Sequence, residues 1–302
     1  MAHDVDIRPR SAEPETEARL RPVSSRQNAL VKELRHAFTR GEPTQEGYVA
    51  IEGVRILEEA VRSGLRFRAV FFSDLGRRHA ARILPQIARQ VETLLLPDPV
   101  FAGAVATESP QGVAALVQLK SFRLDQILPT GTAHGMDGSE DSPLVLGLAG
   151  VQDPGNVGVI IRSAEAFSAR AVLLGEKTAS HANAKAIRAS TGSVFREPVL
   201  RVRMAEAVDA MKQQGLRVAA TSSHKGRPLD EIDLQGPRAL LIGNEGAGLP
   251  ADILARADDL VTIPHSSGVE SLNAGTAASI LLYEAARQRR GQGRSPSLSE
   301  DD

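Results

Sequence analysis

Asparagine, arginine, glutamate and serine recur where apolar runs end in the second half of the chain. These residue types bind and orient a reacting group more readily than they fill a core. The first such run, residues 144–149, leads through Asp153-Pro154-Gly155 to Asn156, which opens an apolar helical pattern containing Arg162. The second, residues 239–242, ends in Gly243-Asn-Glu-Gly-Ala-Gly-Leu-Pro250. The third, residues 260–263, is followed by Pro264, His265 and then Ser271-Leu272-Asn273, which opens an Ala-rich helix. Backbone amides and carbonyls at strand-to-helix turns line small-ligand pockets. The second and third of these turns lie back to back within residues 239–287.

Each residue also has an ordinary structural reading. Asn156 can be a helix N-cap, worth about 1 kcal/mol, or can hold a ligand. Arg162 follows Val159-Ile160-Ile161. It can lay its stem along apolar surface and pair with Glu165 at i+3, or hold a phosphate through its planar fork. Ser271 can cap the last helix. Ala274, Ala277, Ala278, Leu281 and Ala285 form a small-residue stripe that suits close packing, by default within the core or else against a second subunit. Gly246, Gly248 and Ala251 match a relaxed GxGxxA after a strand. That dinucleotide fingerprint belongs in the first turn of its domain and before a longer helix. A phosphate-binding P-loop is excluded, because no Gly-Lys-Ser/Thr occurs. His181, His224 and His265 are isolated and no HExxH is present, so no metal site is expected.

The chain that must position these groups has 302 residues, enough for two domains. Aromatic residues are 3% with no Trp, which argues against recognition by base stacking. The absence of Cys excludes disulfides, thiolate metal sites and base methylation through a Cys adduct. No apolar run reaches the ~18 residues of a membrane span, and no signal peptide is evident. A cytoplasmic location without membrane association is therefore expected. Net charge is −1, yet residues 62–89 hold seven Arg against one acid, and residues 185–227 hold nine Lys or Arg against three. Such stretches either bind phosphates or are solvated helix faces.

Patterning divides the chain into a polar tail expected to be disordered (1–23), an α/β domain (24–121), a linker (122–143) that is clearest at 129–143, a second α/β domain (144–290) and a second tail expected to be disordered (291–302). In the first domain, strands are predicted at 48–51, 69–72, 91–96 and 112–119, with helices at 29–38, 53–63 and 79–90, which implies a mainly parallel sheet. In the second, strands are predicted at 144–149, 171–174, 216–221, 239–242 and 260–263. Helices are predicted there at 156–167, 182–190, 204–213, 250–256 and 271–289.

Taken together, the three passages resemble the SpoU/TrmH branch of the SPOUT RNA methyltransferases. Asn156-Val-Gly-Val-Ile-Ile-Arg-Ser-Ala164 resembles the first family motif, Gly243 to Leu249 the second, and Ile263-Pro264 with Ser271-Leu-Asn273 the third. Ser24-Ser-Arg-Gln-Asn28 and Ile51-Glu-Gly-Val-Arg55 are similar to the substrate-binding domain of rRNA ribose methyltransferases. The resemblance implies a C-terminal domain with a deep trefoil knot, which periodicity cannot reveal because knots are nearly absent from proteins. It also implies a smaller N-terminal RNA-binding domain, a homodimer and S-adenosylmethionine as cofactor. Cofactor contacts carry over to Gly243, Ile263 and Leu272. The catalytic cluster carries over to Asn156, Arg162, Glu245, Ser271 and Asn273, with Arg162 either positioning a phosphate and the hydroxyl or acting as the base, and with Glu245 orienting Arg162. Arg55, Lys185 and Arg188 are candidates to touch RNA. The implied activity is methylation of a ribose 2'-hydroxyl in structured RNA, with rRNA ahead of tRNA because of the N-terminal domain. A non-catalytic RNA-binding or ribosome-assembly protein and a dinucleotide-dependent oxidoreductase are the competing readings. The chain departs from the family at His265, where Met is common, at Ser168, where Gly is usual, and in residues 181–193.

Overall fold

A computed structural model describes residues 17–128 and 142–290. Residues 1–16 of the expected N-terminal tail, the expected tail 291–302 and linker residues 129–141 lie outside the described residues. The chain divides into two compact units, residues 1–119 with 182–184, and residues 120–181 with 185–302.

In the first unit, the apolar runs become a five-stranded sheet of β1 (Arg21–Pro22), β2 (Tyr48–Glu52), β3 (Arg66–Ser73), β4 (Glu92–Leu96) and β5 (Val113–Gln118), in the order β1-β4-β3-β5-β2. β1, β4 and β3 run parallel, whereas β5 runs antiparallel to both β3 and β2. The sheet is therefore mixed rather than mainly parallel. The cause is the β4–β5 connection, which returns at the same end of the sheet instead of crossing over. Helix α1 (Ala29–Arg40) follows Asn28, whose side chain accepts from the Leu30 amide, and stops at Gly41 in the left-handed conformation. It buries Val31, Leu34, Ala37 and Phe38 against Phe71, Leu94 and Leu116. Helix α2 (Val54–Arg62) buries Ile56, Leu57 and Ala60.

The helix expected over 79–90 is shorter. Only α3 (Ala80–Ile83) is α-helical, and a 3-10 turn at Leu84–Gln86 follows. Pro85 lacks the amide that would continue the ladder. Helix α4 (Asp98–Ala102) and strand β1 were not predicted. Strand β1 falls in the stretch expected to be tail, but pairs with β4 at Arg21↔Leu94 and Pro22↔Leu95.

In the second unit, residues 122–128, read from sequence as the start of the linker, form α5 (Leu124–Ile127) and bury Ile127 and Leu128 in the core. Seven strands follow: β6 (Leu144–Ala149), β7 (Ala171–Leu174), β8 (Val199–Arg201), β9 (Arg217–Thr221), β10 (Arg227–Pro228), β11 (Arg238–Gly243) and β12 (Asp259–Thr262). Their order is β10-β12-β9-β11-β6-β7-β8, and every pairing is parallel. Every residue of β6 and β7 is buried, as expected of strands covered on both faces. The covering helices are α6 (Pro154–Ala166), α7 (Ala184–Ser190), α8 (Met204–Gln213), α9 (Ala251–Leu254) and α10 (Ala274–Arg290).

The small-residue stripe packs inside this unit. Ala274, Ala278, Leu281 and Ala285 are buried. Helices α6 and α10 approach so closely that a Cβ on Gly275 would stand 3.1 Å from Val159, and Ser163 and Ser279 share a 2.8 Å hydrogen bond. Because all seven strands are parallel, the loops leaving β6, β11 and β12 emerge from the same edge, where open α/β sheets bind ligands.

Candidate active site

The site is built from those three loops. Beyond β6, Asp153 takes the capping position of α6. Its side chain accepts from the Gly155 amide at 3.0 Å, and Pro154 supplies the first helical turn. Asn156 is thus inside the helix, not its cap, and its carboxamide is available for other work. Asn156 Nδ2 donates to Glu245 Oε1 at 2.8 Å, and Asn156 Oδ1 accepts from Asn273 Nδ2 at 3.0 Å. Asn273 Oδ1 in turn accepts from the amides of Gly275 and Thr276, at 2.9 and 3.2 Å, and so caps α10. The cap expected of Ser271 belongs to Asn273 instead. Ser271 is exposed, beside half-buried Leu272. Three loops distant in sequence are therefore joined by one run of side-chain hydrogen bonds, Asn273 to Asn156 to Glu245.

The turn after β11 is closed on itself. Asn244 and Gly248 exchange backbone hydrogen bonds of 3.0 and 2.9 Å. Gly243 has no room for a side chain, since a Cβ there would lie 2.3 Å from the Gly248 carbonyl carbon. Asn244 Oδ1 accepts from the amides of Gly246 and Ala247 at 3.0 and 2.9 Å, while its Nδ2 donates to the Gly150 carbonyl. Those two amides are among the groups a pyrophosphate would need, so the GxGxxA reading fails on geometry. Only four residues of helix, α9, follow this turn. After β12, His265 Nδ1–H donates to the Ile263 carbonyl at 2.7 Å. Residues 243–249 and 263–273 contain no Lys or Arg but do contain Glu245 and Glu270. That balance suits a cationic ligand and disfavours a polyphosphate.

Neither acid that the sequence offered to Arg162 pairs with it. Glu245 accepts from Asn156, and Glu165 is held by Arg196 through contacts of 2.5 and 3.0 Å. Among the described residues the exposed Arg162 guanidinium donates only to Thr191 Oγ1, at 3.3 Å. Lys185 pairs with Asp153 at 2.6 Å in an exposed ion pair of a kind worth little to stability. The Lys185 ammonium, followed by the Gly155 amide, holds the Asp153 carboxyl below its usual range. Arg188 on α7 and Arg55 on α2 are exposed.

The basic runs are partly neutralised. In the first, Arg62, Arg68, Arg77 and Arg82 meet carboxylates; in the second, Lys185, Arg196, Arg203, Lys212 and Arg217 do. Two titratable groups nearby in sequence are shifted, Glu197 buried and His181 half-buried. Burial, with Glu165 second, pushes Glu197 up to about 8. Burial, with Arg201 second, lowers His181 to about 4. Sequence reasoning missed Asp153, Asn244 and Thr191. The first had a visible signal, since Asp before Pro-Gly marks a helix start. The other two act through contacts that only the fold creates.

The SpoU rRNA Methylase family matches residues 143–283, and the MRM3-like substrate binding domain family matches residues 28–115. The 23S rRNA (guanosine(2553)-2'-O)-methyltransferase RlmP of Bacillus subtilis is 33% identical over 264 residues, covering 87% of this chain and 98% of that protein. The chain belongs to the SpoU rRNA methylase family. A 23S rRNA (uridine(2479)-2'-O)-methyltransferase of Streptomyces viridochromogenes is 32% identical, with coverage of 83% and 86%. Among solved structures, the AdoMet-bound rRNA methyltransferase from Sinorhizobium meliloti superposes with a TM-score of 0.76 at 27% identity, covering 89% of this chain and 98% of that one. The SpoU methyltransferase AviRb from Streptomyces viridochromogenes in complex with AdoMet gives 0.72 at 30% identity, covering 87% and 99%.

Membership gives meaning to one departure from the family pattern. Ser168, where the resemblance led to an expected Gly, adopts a φ of 57° just past the end of α6. Glycine takes that left-handed conformation without steric cost.

Proposed function

We propose that this SpoU-family chain transfers a methyl group from S-adenosylmethionine to a ribose 2'-hydroxyl of rRNA. The observation that carries the reading is the Asn273–Asn156–Glu245 hydrogen-bond run, which ties the three family motifs into one locus at the carboxyl edge of a parallel sheet. The acidic, cation-free loops around it fit a sulfonium ligand. When bound, S-adenosylmethionine supplies an electrophilic methyl on positively charged sulfur.

The chain's own residues would then do the rest. Backbone groups at Gly243, Ile263 and Leu272 hold the cofactor. Asn156, Ser271 and Asn273 align cofactor and ribose, and most of the rate gain comes from in-line geometry. Glu245 restrains Asn156 rather than orienting Arg162. Arg162 positions an RNA phosphate and stabilises the hydroxyl oxygen, whose proton passes to solvent water as the oxygen–methyl bond forms and the methyl–sulfur bond breaks to leave a neutral thioether. Arg55, Lys185 and Arg188 meet the RNA, with Lys185 acting from its place beside Asp153.

The remaining implications of the family resemblance belong to the same proposal: a trefoil-knotted second unit, a cytoplasmic location and a homodimer. Exposed Val159, Ile280 and Tyr283 on α6 and α10 supply apolar surface for a second copy. No helix of the described residues is long and apolar enough to cross a membrane.

Incubation with labelled methyl donor and either rRNA or tRNA, followed by nuclease digestion, tests the reading. A 2'-O-methylated nucleoside from rRNA is expected. Label on a base, or on no RNA, overturns the proposal; label on tRNA alone transfers it to the tRNA enzymes.

A further inference from the structure

Arg162 carries a full positive charge at the surface, yet among the described residues no carboxylate accepts from it. The hydroxyl of Thr191 does, at 3.3 Å. Thr191 holds an uncommon backbone conformation, with φ at 52°. A β-branched residue at positive φ is a steric outlier, and such outliers persist where the surroundings over-determine them. Those surroundings are visible. The Thr191 amide bonds to the Arg188 carbonyl at 3.1 Å as α7 ends. Gly192 follows at φ 89°, and Ser193, Val194 and Phe195 are buried immediately after it. The amides of Phe195 and Glu197 bond back to the carbonyls of Gly192 and Ser193. Glycine at position 191 would remove the strain but also the hydroxyl.

A neutral acceptor differs from a carboxylate in one respect that matters here. A carboxylate would hold the guanidinium by two charged contacts and compete with any phosphate for the same fork. A hydroxyl fixes direction and leaves the charge uncancelled. Glu165, the nearest acid along α6, is committed to Arg196.

We infer that Thr191 is a positioning residue, which aims the Arg162 guanidinium while keeping it available to an anionic group of the RNA substrate. This rests on the methyltransfer reading above, and gives the strained turn after α7 a role in turnover.

The test uses the full chain, labelled S-adenosylmethionine and total rRNA from cells lacking the protein, with three variants. Thr191→Val keeps the shape and loses the hydroxyl; kcat falls roughly tenfold, as for a lost hydrogen bond to a charged group, while cofactor affinity by calorimetry stays unchanged. Thr191→Ser recovers most of that loss. Thr191→Gly raises Tm yet lowers kcat, an opposition that a purely structural threonine would not produce. Wild-type turnover in either Thr191→Val or Thr191→Gly overturns the inference, as does failure of Thr191→Ser to recover. No transfer by the wild-type chain to any RNA would instead overturn the underlying methyltransfer reading.

Discussion

Asn156 uses both ends of one carboxamide to join two other loops, so its removal releases three segments at once. Asn156→Ala is expected to lower kcat about a hundredfold, the order expected when reacting groups shift by about 1 Å, with cofactor affinity nearly retained. Steady-state kinetics beside calorimetry would check this. Glu197 gives a separate, pH-linked expectation. Its carboxyl is buried and raised to about 8 from 4.5, so the folded state keeps a proton that the unfolded chain releases. Stability therefore declines as pH rises from about 4.5 through about 8. Glu197→Gln should flatten that decline in denaturant titrations between pH 5 and 8, and a parallel decline in the variant would remove Glu197 as its source. His181 works in the opposite sense. It is held neutral, and its contribution is lost as pH falls from 6.5 through about 4. The types of the site residues were legible because Asn, Arg and Glu after buried strands are conspicuous. Their pairings were not, because Glu165 and Glu245 are plausible partners for Arg162 in one dimension and are claimed by Arg196 and Asn156 in three.

At the scale of elements, helix α6 is bounded by two unlike ends. Its start is well made, with Asp153 capping and Pro154 in the first turn. Its end runs into Ser168 in the left-handed region. Ser168→Gly should stabilise the protein by about 1 kcal/mol and raise Tm by a few degrees without changing kcat. A calorimetric scan that shows no rise would mean the turn absorbs the serine without strain. Apolar periodicity located most of the strands and helices within a few residues, because β6, β7 and β11 are continuous buried runs and α1 alternates at helical spacing. It overran at 79–90, where Pro85 interrupts the ladder, and at 271–273, where Asn273 rather than Ser271 starts the helix. Two-residue strands such as β1 and β10 carry no period at all and exist only through their partners.

For the whole molecule, a net charge of −1 conceals exposed cations that the internal ion pairs leave for RNA. Arg188 is one exposed cation with no side-chain partner among the described residues. Arg188→Ala should weaken rRNA binding and reduce the slope of log affinity against log salt by about one, measured by filter binding across a salt series. An unchanged slope would place Arg188 outside the RNA footprint. A mainly parallel sheet was expected of the first unit and a mixed one is found, since strand direction depends on which end a connection returns to; no strand direction was expected for the second sheet, whose pairings are parallel.

The self-closed turn at Asn244 bears on how the protein works amid other nucleotides. ATP and NAD share an adenosine half with the proposed methyl donor but carry phosphates where the donor carries a cation. A bend that carries Glu245 and whose Gly246 and Ala247 amides already serve an asparagine disfavours the phosphates of those rival molecules. The abundant energy currency of the cell would thus leave methylation undisturbed, with no separate gate needed to exclude it.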